Sequence, residues 1–247
     1  MFNSLAARYD AMNHIISLGQ DLGWRKIAAR LALRATTVQR ALAAGRVPTA
    51  LDVASGTGDF AFTLARQGCA VVALDFAAQM LNVGRVRQRN DRDLADLELS
   101  VAQIKAGPAT HGIAWVHGDA LHLSFDDNSF DCAVTGFAMR NVTDIGTTFR
   151  EMARVVRPGG RVVCLEVARP SATLLRLGHQ LHTHYLVPLL GRLLAGQAEA
   201  YRYLPNSMTD FPPPPALKQM MEQAGLRRVR YTLHTFGAVA LHVGEVE

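Results

Sequence analysis

Residues 50–54 read as a short buried strand that ends directly in Ser55-Gly56-Thr57-Gly58-Asp59 and passes into an amphipathic stretch reaching Gln67. A strand, a tight glycine turn and a helix in that order commit a chain to β-α-β construction. A parallel partner strand is reached only through a crossover, and the crossover is usually a helix. The rest of the chain repeats the rhythm. Apolar runs recur at 70–74, 113–116, 132–135 and 162–167, with helical patterns at 77–89 and 148–156. The Pro158-Gly159-Gly160 segment reads as a turn before the fifth run. Two further strand patterns at 228–233 and 238–243 lie close enough, around Gly237, to pair antiparallel. Pro212–Pro215 opens the helix before them, and Gly225 closes it. Helical patterns at 5–16 and 22–44 precede the first strand. The expected fold is α/β: a doubly wound, mostly parallel seven-stranded sheet with a terminal antiparallel strand and N-terminal helices.

With 49% hydrophobic and 19% charged residues, the 247-residue chain has ample material for one packed core. Disorder and coiled coil are excluded on that composition. One domain over 1–247 is expected, with a helical cap over about 1–46 and a polar insertion over about 91–112. Pro188 and Arg192 interrupt the most apolar stretch, so no segment reaches the ~20 residues needed to span a bilayer. Arg8 and Asp10 stand where a secretory signal would be apolar. Cys69, Cys132 and Cys164 are too widely spaced for a disulfide framework or a zinc site, and the last two fall in buried-strand patterns. A reduced, cytoplasmic location is the expectation. The net charge of +5 is spread as Arg alternating with Asp and Glu, the pattern of a solvated surface and not of a nucleic-acid partner.

The glycine loop carries the chemistry. Gly56 and Gly58 let the backbone turn tightly and approach a ligand where a Cβ would clash. With Ala61 the loop even satisfies the dinucleotide pattern G-x-G-x-x-A. Its flanking acids argue otherwise. A pyrophosphate on the helix N-terminus would be repelled by Asp52 and Asp59, whereas a phosphate-free cation such as S-adenosyl-L-methionine would be attracted. Asp75, ending the second strand, is spaced to accept both hydroxyls of a ribose; Asp119, after the third, is spaced to accept an adenine amino group. Each acid singly could be a helix N-cap or a satisfied strand-end carboxylate. Together, after three successive strands, they favour a nucleoside cofactor.

These residues resemble class I S-adenosyl-L-methionine-dependent methyltransferases: Asp52-x-x-x-Gly56-x-Gly58, Asp75, Asp119-Ala120 and Phe130-Asp131. More specifically, the chain is similar to the ubiquinone/menaquinone C-methyltransferases. The similarity rests on Tyr9-Asp10-Ala11-Met12-Asn13, Ser17-Leu18-Gly19 with Trp24, Phe137-Ala138-Met139-Arg140-Asn141-Val142, Arg157-Pro158-Gly159-Gly160, Tyr201-Arg202-Tyr203-Leu204 and 237–242. The resemblance implies a Rossmann-like methyltransferase fold and methyl transfer to a ring carbon of a polyprenylated quinol. It implies cofactor contacts from Thr57, Asp75, Asp119, Ala120 and Gly136, and quinol contacts from Tyr9, Arg140 and Asn141. Asp21 stands where many ubiquinone-making members have histidine, and Ala138-Met139 replaces Gly-Leu. The Gln20-Asp21 form is closer to menaquinone-type members. Demethylmenaquinol is therefore the expected substrate, with 2-polyprenyl-6-methoxy-1,4-benzoquinol or another small molecule as alternatives.

Arginine does not readily give up its proton, so Arg140 is expected to stabilise a developing phenolate or orient a water, not to act as base. Asn141 would hydrogen-bond the quinol oxygen, and Tyr9 would close the pocket. Residues 171–211, rich in Leu, are expected to form a lid over a greasy substrate. His179, His182 and His184 lie within them, but their i, i+3, i+5 spacing does not share one helix face, so no metal is expected. A prenyl tail has to come from the bilayer, which implies transient contact with the inner membrane surface. The sequence leaves oligomeric state open, a homodimer included. Two rivals from other classes remain: an NAD-dependent oxidoreductase, and a catalytically silent methyltransferase-like assembly subunit.

Overall fold

The computed structural model describes residues 17, 19–169 and 211–247. The helix expected at 5–16, Tyr9, the three histidines at 179–184 and residues 171–210 of the lid segment lie outside the described residues.

Seven strands form one sheet in the order β3-β2-β1-β4-β5-β7-β6. They are β1 (Thr49–Val53), β2 (Ala70–Asp75), β3 (Gly112–His117), β4 (Phe130–Gly136), β5 (Val156–Val167), β6 (Arg227–His234) and β7 (Val239–Glu245). Strands β1 to β5 pair in parallel, and β7 runs antiparallel to both its neighbours. Residues of β1 are buried on both faces, which is why Ala50, Leu51 and Val53 are apolar without alternation, and its two polar residues, Thr49 and Asp52, are buried with them. The connectivity reverses direction between β1 and β4, and the crevice at their carboxyl ends is where open α/β sheets bind ligands.

One face of the sheet is covered by α1 (Gln20–Leu33), α2 (Thr36–Ala43), α3 (Asp59–Ala65) and α4 (Ala78–Arg89). The other carries α5 (Val101–Lys105), α6 (Ile145–Val155) and α7 (Pro214–Gln223). Helix α1 packs on β4 and β5 through Ala28, Ala29 and Ala32, all fully buried. Alanine stripes bring a helix close to a sheet. Arg25 lies on the same i, i+3, i+4, i+7 stripe and therefore also faces inward, 8% exposed.

Three elements differ from the sequence reading. The helical pattern at 22–44 is broken at Ala35, whose extended backbone (φ −57°, ψ 141°) separates α1 from α2. Thr37 then donates its hydroxyl to the Asp131 carbonyl at 2.6 Å, tying α2 to β4. The Pro158-Gly159-Gly160 segment is not a turn but an irregular start to β5. Phe130 pairs with Val156 and Cys132 with Arg161, so the extra residues bulge at Gly159 (φ 86°). Residues 91–112 are polar in sequence yet well fastened. Leu94 and Leu99 are buried, Leu99 N–H donates to the Ile113 carbonyl at 2.8 Å, and Ser100 and Gln103 make a capping box for α5. The segment covers the outer edge of β3, which would otherwise expose its backbone groups.

Candidate active site

The turn after β1 is held from beneath. Buried Asp52 accepts the Ser55 hydroxyl at 2.7 Å and the Ala61 N–H at 3.0 Å, both on Oδ2. Burial pushes its carboxyl up to about 7, against the lowering effects of Ser55, Arg25 and Ala61. Ala54 and Gly56 take left-handed backbone (φ 55° and 62°), and Gly58 does so at φ 96°. A Cβ on Gly58 would come 2.4 Å from the Trp115 ring, and one on Gly84 of α4 would come 2.3 Å from it. The indole is thus wedged between loop and helix, its N–H donating to Gln88 at 2.7 Å. Here the second glycine serves packing as well as turning.

Asp75 is fixed through both oxygens. Oδ2 accepts the Gly56 N–H and Oδ1 the Ala77 N–H, each at 2.7 Å. Burial raises its carboxyl above the ordinary range, opposed by those two backbone donors. Each oxygen keeps a lone pair for a further donor. Asp119 is exposed and accepts the Leu121 N–H at 2.9 Å on Oδ1.

A cavity of about 410 Å³ opens over these groups, within the range of small-molecule sites. Seven of the expected residues line it: Gly56, Thr57, Asp75, Asp119, Ala120, Gly136 and Asn141. Phe76, Met80 and Leu121 make its apolar end near Asp119. Asp52 and Gly58 lie under the loop and shape it without lining the cavity. Asp52 and Asp59 flank the glycines alike in the sequence, but the structure separates them. Asp59 lines the cavity, already paired with Arg87 at 2.9 Å and with Arg25 at 3.7 Å. Arg87 also donates to the Thr57 hydroxyl at 2.9 Å.

Arg140, on the 3-10 turn Met139–Asn141 after β4, is likewise not among the lining residues. Its guanidinium donates to the Phe137 carbonyl and to Glu166 Oε1, both at 2.7 Å. The two side chains are 6% and 1% exposed, so this is a buried ion pair and not the surface pair that a lone arginine suggests. Glu166 Oε1 also accepts the Val167 N–H at 2.9 Å, while Oε2 is buried without a partner among the described residues. Sequence reasoning missed Glu166 and Arg25. Both carried a signal: Glu166 is the single acid inside the apolar run 162–167, and Arg25 is a charge on the stripe that continues as Ala28, Ala29 and Ala32. Among the described residues no group of three His, Cys, Asp or Glu could hold a metal ion.

A parallel sheet with one reversed strand, a glycine turn after β1 and acids after β2 and β3 define a Rossmann-like methyltransferase. The chain matches the ubiE/COQ5 methyltransferase family over residues 1–246, and it belongs to that family. It is 44% identical to the demethylmenaquinone methyltransferase of Roseiflexus castenholzii, over 99% of this chain and 91% of that one. The demethylmenaquinone methyltransferase of Thermus thermophilus is 39% identical, with 99% of each chain covered. Among solved structures, a candidate S-adenosyl-L-methionine-dependent methyltransferase of Methanococcus maripaludis superposes with a TM-score of 0.54 at 18% identity, covering 96% of this chain and 92% of that one. That likeness concerns the fold.

Proposed function

We propose that this chain is an S-adenosyl-L-methionine-dependent C-methyltransferase that converts demethylmenaquinol to menaquinol. The reading is carried by the cavity at the β1–β4 crevice, where a doubly anchored Asp75 faces a glycine loop and an exposed Asp119. Full-length similarity to chains named for that activity supports the substrate. Family and fold imply the methyl donor, and the residues present suit it. Asp75 offers two acceptor positions for the ribose diol, and Asp119 retains Oδ2 for the adenine amino group. Phe76, 76% exposed at the cavity, offers a face for the base.

When bound, S-adenosyl-L-methionine supplies an electrophilic methyl group. The protein's task is to make the quinol ring carbon nucleophilic and to exclude water. A hydroquinone that passes a phenolic proton to water gains electron density at the ortho carbon, so a group that stabilises the phenolate accelerates transfer. The methyl–sulfur bond breaks as the methyl–carbon bond forms, and the ring carbon's own proton then leaves to water to restore the aromatic ring. In this proposal Arg140 is that group, acting through its charge from behind the wall formed by Phe137, Ala138 and Asn141. Its charge is permanent and its position is set by Glu166 and the Phe137 carbonyl. Asn141, on the cavity wall, holds the quinol oxygen. Tyr9 is assigned by resemblance to closing the pocket. Phenolate and sulfonium become neutral products, so apolar walls favour the transition state over the charged ground state.

Among the described residues no helix is long and apolar enough to cross a membrane. Transient contact with a bilayer surface would deliver the prenylated substrate. Leu233 and Phe236, 52% and 80% exposed near the carboxyl end of β6, offer apolar contacts at the rim. The test presents purified protein and S-adenosyl-L-methionine with reduced demethylmenaquinone and, separately, with 2-polyprenyl-6-methoxy-1,4-benzoquinol, and weighs the products. Methylated naphthoquinol is expected. Methylation of the benzoquinol alone would move the assignment to ubiquinone synthesis, and transfer to neither would overturn it.

A further inference from the structure

The cavity has two ends, and Asp75 and Asp119 account for only one. At the other, Gly136 ends β4, and a Cβ there would stand 2.4 Å from the Phe60 ring and 3.1 Å from Arg25 Nη1. The missing side chain leaves the guanidinium of Arg25 on the cavity wall beside Asp59. That guanidinium is clamped: its Cζ lies 5.2 Å from the centroid of Phe60 and 5.2 Å from that of Phe137. It is also incompletely satisfied. Nε is buried with no partner among the described residues, and the contact to Asp59 is a long 3.7 Å, while Arg87 reaches the same carboxylate at 2.9 Å.

A buried, pre-oriented arginine with donors to spare is a site for a planar anion of carboxylate type. The nucleoside end of a methyl donor would occupy the Asp75–Asp119 side, which puts the donor's amino-acid end at Gly136. Resting on the methyltransferase reading above, we propose that Arg25 binds the α-carboxylate of the methyl donor and so selects the intact amino-acid moiety. Arg25 and Asp59 present a cation and an anion side by side, the complement of an α-amino-acid zwitterion. Fixing that end restricts the donor about its sulfur and helps hold sulfur, methyl and ring carbon in line.

Calorimetry on the full chain tests this without turnover. The probes are S-adenosylhomocysteine, which keeps the carboxylate, and 5′-methylthioadenosine, which lacks the amino-acid end. Arg25→Ala is expected to weaken S-adenosylhomocysteine by roughly 10–100-fold, as for loss of a hydrogen-bonded charge, and methylthioadenosine by less than about threefold. Arg25→Lys keeps the charge but not the fork. It is expected to fall between, and it secures the measurement should the alanine variant fold poorly. Decarboxylated S-adenosyl-L-methionine sharpens the result: wild type discriminates against it, and Arg25→Ala does not. Equal weakening of both probes would overturn the assignment, making Arg25 a support of the loop alone, and so would unchanged affinity for S-adenosylhomocysteine. Wild-type protein that binds neither probe would overturn the donor reading itself, and the Arg25 assignment with it.

Discussion

At the ends of β2 and β3, Asp75 and Asp119 are fixed by backbone N–H groups. Asp75 is held by the N–H of Ala77, two residues on, and by Gly56 of the neighbouring loop; Asp119 is held by Leu121. Along β4 and β5 the polar groups are fixed by distant side chains. Arg140 is held by Glu166, 26 residues away, and Arg25 of α1 reaches across to Gly136 and Phe137. The Asp75–Asp119 end of the crevice is therefore a property of strand–turn units, which any chain repeating them can copy. The end that carries Arg25 and Arg140 depends on how α1 and β5 meet over the sheet. Backbone donors tolerate sequence change; a buried ion pair does not tolerate loss of one partner.

If the two sides are energetically separable, variants should move binding or chemistry but not both. Arg140→Ala is expected to lower kcat by roughly 10²–10³-fold, as for loss of a transition-state donor, while S-adenosylhomocysteine affinity stays within about threefold. A parallel loss of affinity would break the division. Asp75→Ala is expected to do the reverse, raising the S-adenosylhomocysteine Kd by roughly 100-fold, with kcat at saturating donor nearly kept. Glu166→Gln keeps the shape but removes the charge that positions Arg140. A kcat reduction of about 10-fold with unchanged donor affinity is expected from steady-state rates and calorimetry.

The smallest effect concerns Asp52. Its carboxyl is pushed up to about 7 by burial in the folded chain, against an ordinary value of about 3.9 when unfolded. The folded state thus holds a proton that the unfolded state releases. The resulting stability is full below about pH 4 and is lost as pH rises towards 7. Thermal unfolding of the ligand-free protein should show the wild-type Tm falling between pH 4.5 and 7.5 by several degrees more than that of Asp52→Asn, which mimics the protonated acid. Equal slopes would place the titration elsewhere.

The same contrast explains what the sequence made legible. All seven strands lie close to where the strand patterns and glycine punctuation put them; in β1, β2 and β4 burial on both faces leaves little choice of period, while the edge strand β6 is mostly exposed. Asp75 and Asp119 could be picked out because one ends a strand and the other closely follows one. Glu166 and Arg25 were invisible to motif reading because their roles come from tertiary contact. Each looked like a flaw in an apolar pattern, and that flaw was the signal. Helix α5 was missed for a different reason: five residues carry too little periodicity, and it is the capping box that declares it.

The wedge of Trp115 between the glycine turn and α4 has a practical corollary. The chain has only two tryptophans; Trp115 sits under the turn, and Trp24 leans on Phe137 with ring centroids 6.2 Å apart. The molecule's intrinsic fluorescence thus originates from one emitter beneath each half of the crevice. Replacing Trp24 with phenylalanine would leave a single optical probe in contact with the loop, letting donor association be followed in real time without dye or isotope.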